Sequence, residues 1–192
     1  MKTVPAIFFI LLTGHLLVSC NDAQSEKTTL PAKSTKKTSK KRIRVLCAQS
    51  VTHAFSQKNK KDEFRITITG DSIHTATARL DIINYKNQKI YTESFPAAQL
   101  LNYEISSSAT DNEKDAFIRK RVKEFFHEEN FKYPAVHTDD KFDSDYSNKK
   151  YWEAIKADRS AIGFYYLLGE EDGRSIAWSK KLKKVVLYFT CC

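Results

Sequence analysis

The sequence predicts an α+β domain over residues 43–192: a largely antiparallel sheet of about five to seven strands packed with two helices. Three observations predict it. Segments near 64–95 and 161–190 carry strand patterns, several of them alternating apolar and polar residues with a period of two. A segment near 111–130 places its apolar residues at helical spacing. Strands therefore group at both ends of the domain around a helical block, the order that segregates helices from an antiparallel sheet.

The elements follow in order. In "RIRVLC", Ile43, Val45 and Cys47 share one face. "FRITITG" sets Phe64, Ile66 and Ile68 against Arg65, Thr67 and Thr69. "TATARLDII" sets Ala76, Ala78, Leu80 and Ile82 against Thr77, Arg79 and Asp81, and "YKNQK" then turns the chain into "IYTESF". These three strands read as a meander. A helix at about 111–130 starts with a capping box, Thr110-x-x-Glu113, and gathers Phe117, Ile118, Val122, Phe125 and Phe126 on one face. The loop "YPAVHTDDKFDSDYS" leads to a shorter helix at about 148–158. "AIGFYYLLG" and "RSIAWSK" follow, joined at Glu170-Glu171-Asp172-Gly173, and "KKVVLYFT" is the last strand.

The formal net charge is +9, but it is unevenly placed. Residues 21–44 hold eight lysines and arginines against two acidic residues, so residues 45–192 carry an ordinary balance. The charge therefore belongs to a segment, not to a basic domain, and nucleic-acid binding is not expected. That segment, polar and rich in Lys, Ser and Thr, cannot bury enough apolar surface to offset its ordering entropy. Residues 20–42 are expected to be a disordered tether with a reach of roughly 25–30 Å. Its lysines would either rest on anionic lipid or remain solvated.

Ahead of it, "FFILLTGHLLVSCNDAQ" (residues 8–24) is an apolar run that stops at Cys20. The apolar stretch spans residues 4–18 after Lys2, and Pro5, Gly14 and His15 weaken it, so it is short for a membrane span. A charged start, a short apolar middle and small residues at the end describe a secretory signal, residues 1–19. Leu17-Val18-Ser19-Cys20 resembles the lipobox of bacterial lipoproteins. The resemblance covers the first 20 residues only, and it implies cleavage after Ser19 and acylation of the Cys20 thiol and amine. Two or three acyl chains would hold the protein to a bilayer, since each buried methylene contributes about 0.8 kcal/mol. Asn21, where aspartate favours the inner membrane in the enteric pattern, leans toward the outer membrane, and the periplasmic face is the expected side. The inner membrane and the cell surface are the alternatives. An ordinary signal peptide containing a cysteine is the bland reading.

Several motifs invite chemistry. Gly70-Asp71-Ser72 resembles the first block of the SGNH (GDSL-like) esterases, whose serine is the nucleophile. Those enzymes also need a Gly-x-Asn-Asp element and a late Asp-x-x-His; this chain has neither, and its histidines end at His137. His74 would point away from Ser72 if a strand began there, so a plain turn is expected. Asp139, Asp140, Asp143 and Asp145 crowd one loop, but Asn148 and Ala154 stand where an EF-hand needs glycine and glutamate. That loop is expected to be solvated, with an Asp or Ser capping the next helix. His127-Glu128-Glu129 is not a zinc-protease motif. "WSKKLKK" (178–184) places four lysines beside Trp178 and Leu182, suited either to lipid headgroups, anionic glycans or an acidic partner, or to a solvated hairpin.

Cys47, Cys191 and Cys192 remain after Cys20. In an exported chain they can oxidise. A Cys47–Cys191 bridge is expected if the first and last strands are neighbours; Cys47–Cys192, reduced buried thiols and a strained Cys191–Cys192 bridge are the alternatives. The expectation for the whole is a lipid-anchored envelope protein with a binding or scaffolding domain and no cofactor. Its partners would be the membrane, through Cys20, and an envelope protein or glycan. A tethered hydrolase and an inhibitor or immunity module are the rival classes.

Overall fold

A computed structural model describes residues 44–191. The expected signal segment (1–19) and tether (20–42), with Cys20, and also Cys192, lie outside the described residues. The domain is α+β, with eight strands in two four-stranded antiparallel sheets and two α-helices. The first sheet runs β1 (Val45–Ala54), β2 (Lys61–Thr69), β3 (Thr77–Ile83), β4 (Lys89–Pro96), in sequence order. The second runs β5 (Phe131–Lys132), β6 (Gly163–Leu168), β7 (Asp172–Ser179), β8 (Lys184–Cys191). α1 (Asp111–Glu124) and α2 (Lys149–Lys156) lie between strands in sequence.

The expected meander is β2–β4, with Phe64 opposite Ile82 and Ile68 opposite Ala78. The eight strands are one more than the upper end of the five to seven expected. β1 runs on through Ala54 although "AQSVTHA" alternates poorly, because its backbone groups pair with β2 as far as Ala54↔Lys61. β5 is two residues long and exists only because Phe131 and Lys132 pair with β6. Neither length is written in side-chain pattern; both are set by a partner strand.

α1 opens as expected. Thr110 accepts from Glu113 N, and the Glu113 carboxylate accepts from Thr110 N at 2.7 Å. It ends at Glu124 rather than near 130. Phe125 and Phe126 turn into the core, His127 N donates to Glu124 O at 3.1 Å, and Asn130 Nδ2 donates to Phe125 O at 3.2 Å. Satisfaction of these last carbonyls, one by a backbone N–H and one by a side-chain amide, lets the helix stop before the apolar pattern does.

The two sheets meet through an aromatic cluster. Phe64 of β2 lies 5.2 Å from Phe164 of β6 and 5.0 Å from Phe131 of β5, in edge-on contacts. Phe126, after α1, joins both rings. Ile66, Ile68, Leu80, Ile82, Ile118 and Ile176 complete this core, each fully buried. Burying one such side chain contributes about 1.5–3 kcal/mol. The second sheet has another core on its far face, where Ala177, Val186 and Tyr188 meet Trp152 and Ile155 of α2. β6 gives Phe164, Tyr166 and Leu168 to the first core, while Tyr165 and Leu167 on its other face are half-buried. Gly163 is required there: a Cβ would stand 2.6 Å from Tyr188 Oη and 3.2 Å from Ala135 Cβ.

A polar clip crosses between the sheets beside the aromatic cluster. Glu93 of β4 accepts from Tyr91 Oη at 2.9 Å and from Tyr166 Oη of β6, and pairs with Arg174 of β7. Arg174 is also bonded by Asp172 through both carboxylate oxygens, at 2.8 and 2.6 Å. Burial, with the Glu93 carboxylate alongside, pushes the Tyr91 phenol up to about 12, although the Tyr166 hydroxyl and Arg174 pull it down in part. Burial also raises Tyr166, and the neighbouring Tyr91 and Glu93 add to it. Both phenols stay protonated and donate to the carboxylate.

Candidate functional site

Three hairpins bring their tips to one end of the domain. They are the loops β1–β2, β3–β4 and β7–β8, and a cleft of about 620 Å³ opens among them. That volume is in the range of small-ligand sites. The β3–β4 tip is fixed locally: Asn84 Oδ1 accepts from Lys86 N and Gln88 N, both at 2.9 Å, and Asn87 adopts φ 60°. Asn tolerates the left-handed region better than most residues, which suits "YKNQK" to this turn.

Asp62 joins two of the tips. Its side chain is fully buried, and it accepts from Ser56 N at 2.5 Å and from Tyr85 N at 2.8 Å. One carboxylate thus fixes the β1–β2 and β3–β4 loops to each other. Ser56 and Tyr85 both line the cleft.

The lining is basic and aromatic. Lys58, Lys86 and Lys180 come from three different loops, and Tyr85 and Trp178 supply the rings. Lys58 Nζ stands 5.7 Å from the Tyr133 ring centre and Lys86 Nζ 5.6 Å from that of Tyr85. Neither lysine has a carboxylate partner among the described residues. Lys180 does: it reaches Asp158 at 3.1 Å and donates to Ser160 Oγ at 2.5 Å. Burial works against the Asp158 carboxylate, but Ser160 and Lys180 outweigh it and hold its titration below the usual range.

The "WSKKLKK" cluster divides accordingly. Trp178 and Lys180 face the cleft, Leu182 packs on the α2 core, and Lys184 stands 5.0 Å from the Tyr151 ring centre. Sequence reasoning did not single out Lys58, Tyr85, Lys86 or Asp62. Its available signal was the pair of basic turns "SQKNKKD" and "YKNQK" on neighbouring hairpins.

Ser72 and His74 are not apart as expected. β3 begins at Thr77, so residues 73–75 form a 3-10 turn and the His74 ring folds back. Ser72 Oγ lies 3.1 Å from His74 Nδ1, and Asp115 Oδ1 lies 3.4 Å from the same nitrogen. Asp111 Oδ2 faces Nε2 at 3.8 Å. A serine relay needs the two ring nitrogens divided, one for the nucleophile and one for the orienting carboxylate. Here Ser72 and Asp115 share Nδ1, and both acidic groups belong to α1. The arrangement docks the turn onto the first turns of the helix. Gly70 serves close approach, since a Cβ there would stand 3.0 Å from Ala76 Cα.

The aspartate loop bonds its own backbone. Asp140 accepts from His137 N at 2.7 Å, and Asp143 accepts from Asp145 N at 2.9 Å. Asp139 is exposed. The cap of α2 is Asn148, not an Asp or Ser, and it accepts from Tyr151 N at 3.2 Å. Among the described residues no group of three His, Cys, Asp or Glu is placed to hold a metal ion.

Cys47 is a free, half-buried thiol on β1, so the bridges anticipated from it to Cys191 or Cys192 are not formed in this structure. β1 is the outer strand of one sheet and β8, which ends at Cys191, the outer strand of the other. Burial raises the Cys47 thiol, Arg119 lowers it in part, and Asp115 adds to the rise.

Comparison with known proteins found no match: no family model, no curated protein and no solved structure is similar to the chain. Among the described residues no helix is long and apolar enough to cross a membrane.

Proposed function

We propose that this chain is a lipid-anchored bacterial envelope lipoprotein whose α+β domain binds a ligand outside the cytoplasm. The anchor reading rests on Leu17-Val18-Ser19-Cys20 after a short apolar run, followed by a basic, polar tether. Asn21 leans the location toward the outer membrane, periplasmic face. The observation that carries the binding reading is the cleft at the three hairpin tips. Two of its three loops are held together by a fully buried carboxylate, and two of its lysines are without a carboxylate partner among the described residues. Positive charge kept unneutralised on a pre-organised concave surface serves recognition of a complementary ligand.

The anchor is tested by growing cells with a fatty-acid analogue. The wild-type protein takes up label and sediments with membranes; Cys20→Ala loses both. Equal labelling of the two proteins refutes lipidation at Cys20.

A second reading, a tethered hydrolase, is favoured by one observation, the approach of Ser72 Oγ, His74 and Asp115. The shared Nδ1 weighs against it. A fluorophosphonate distinguishes the two: stoichiometric labelling that disappears in Ser72→Ala supports the hydrolase, and no labelling supports the binding domain.

A further inference from the structure

The chemistry of the cleft narrows its ligand, and this step rests on the binding reading above. Three kinds of group meet there. Trp178 and Tyr85 present aromatic surface, the former half-buried and the latter exposed. Gln57 and Asn59 present side-chain amides that make no hydrogen bond among the described residues. Lys58 and Lys86 present ammonium groups held near aromatic rings, with no carboxylate to neutralise them.

Each group answers a different part of one ligand. A pyranose ring has an apolar face of C–H bonds that packs on an aromatic ring, burying area on both sides. Its hydroxyls both donate and accept, and a primary amide does the same. An unneutralised lysine pair calls for negative charge, and charge-assisted hydrogen bonds are stronger than neutral ones. We infer that the cleft between the β1–β2, β3–β4 and β7–β8 tips binds an acidic sugar chain, with a ring against Trp178 or Tyr85 and its carboxylates at Lys58 and Lys86.

The alternative occupant of a basic pole is an anionic membrane surface. Shape and position favour the sugar chain. A membrane is met by a convex or flat face, whereas these lysines and rings line a concavity. The cleft also lies at the far end of the first sheet from Arg44, where the chain from Cys20 joins the domain. Arg44 O accepts from Gly70 N, and β2 runs nine residues from Lys61 to Thr69 between the two ends. At about 3.3 Å per residue the separation is roughly 30 Å.

The test uses the full chain in nonionic detergent micelles, so that it does not depend on lipidation. Tetragalacturonate is titrated by isothermal calorimetry at low salt, with neutral maltotetraose of the same length alongside. The expected result is saturable binding of one tetragalacturonate per chain, with maltotetraose at least about tenfold weaker. Lys58→Gln/Lys86→Gln, at exposed positions, is expected to weaken binding by about tenfold or more while leaving the thermal transition in place. Trp178→Leu is expected to abolish it; because Trp178 also packs on the core, the lysine variant decides the matter if this one fails to fold. Three results overturn the proposal. The first is absence of saturable tetragalacturonate binding, and the second is equal binding of maltotetraose. The third is complete displacement by millimolar inorganic phosphate or by micelles doped with anionic phospholipid, which would mark a general anion or membrane patch. None of these outcomes bears on the Cys20→Ala labelling result, so the anchor and the ligand fail separately.

Discussion

Asp62 is the residue whose loss should most directly show how the cleft is held. Its carboxylate is fully buried and spans two loops by accepting from Ser56 N at 2.5 Å and Tyr85 N at 2.8 Å. Asp62→Ala leaves both N–H groups in a buried site without an acceptor. Each orphaned donor costs about 1–3 kcal/mol, so the expected destabilisation is roughly 2–6 kcal/mol. For a domain of this size that corresponds to a fall in Tm of about 5–20 °C, at ~2–4 °C per kcal/mol. Asp62→Asn should fall between, because its carbonyl can accept one bond while its NH2 confronts the other donor; about 1–3 kcal/mol is expected. The measurement is urea unfolding followed by far-ultraviolet circular dichroism, with the tetragalacturonate titration repeated on whatever remains folded. Freed from each other, the loops should also lose ligand affinity. Destabilisation of Asp62→Ala by less than about 0.5 kcal/mol, the scatter of ordinary surface changes, would refute the reasoning. It would mean that solvent satisfies both N–H groups and that the carboxylate does not organise the tips.

Further expectations follow from the rest of the domain. Gly163→Ala should cost about 1–3 kcal/mol through overpacking against Tyr188 Oη, and Tyr188→Phe in the same chain should relieve part of it; additive losses in a urea double-mutant cycle would exclude the clash. Asp81 is nearly buried, which by itself would raise its carboxyl, yet Lys89, Thr92 and Arg79 together hold it below the usual range. A lowered folded value means stability that is present above the unfolded Asp value, about 3.9, and lost as pH falls through the folded one. Asp81→Asn should therefore flatten the loss of stability below about pH 4, and an unchanged acid limb in pH-dependent urea unfolding would contradict this. Cys47, raised chiefly by burial and half-covered, should react with iodoacetamide much more slowly in the folded chain than in urea; equal rates at pH 7.5 would show an open, activated thiol.

Local pattern alone determined a good part of this molecule. The β2–β4 meander, the capping box at Thr110 and Glu113, and the helix ahead of β6 all follow from residue spacing, because the caps and helices close bonds within a few positions and the meander pairs strands that are neighbours in sequence. The tertiary structure decided what depends on partners distant in sequence. β1 and β5 exist where another strand completes their hydrogen bonds. The strands divide into two sheets because Phe64 of one meets Phe131 and Phe164 of the other edge-on, and period-two alternation says nothing about which sheet a face will meet. The fate of His74 turned on where β3 begins, a matter of two residues. The cleft is the clearest case. "SQKNKKD", "YKNQK" and "WSKKLKK" are each ordinary basic turns. They become one site only when antiparallel pairing and the stacking of the sheets bring three tips together, and when a buried aspartate on one hairpin accepts from the backbone of the next.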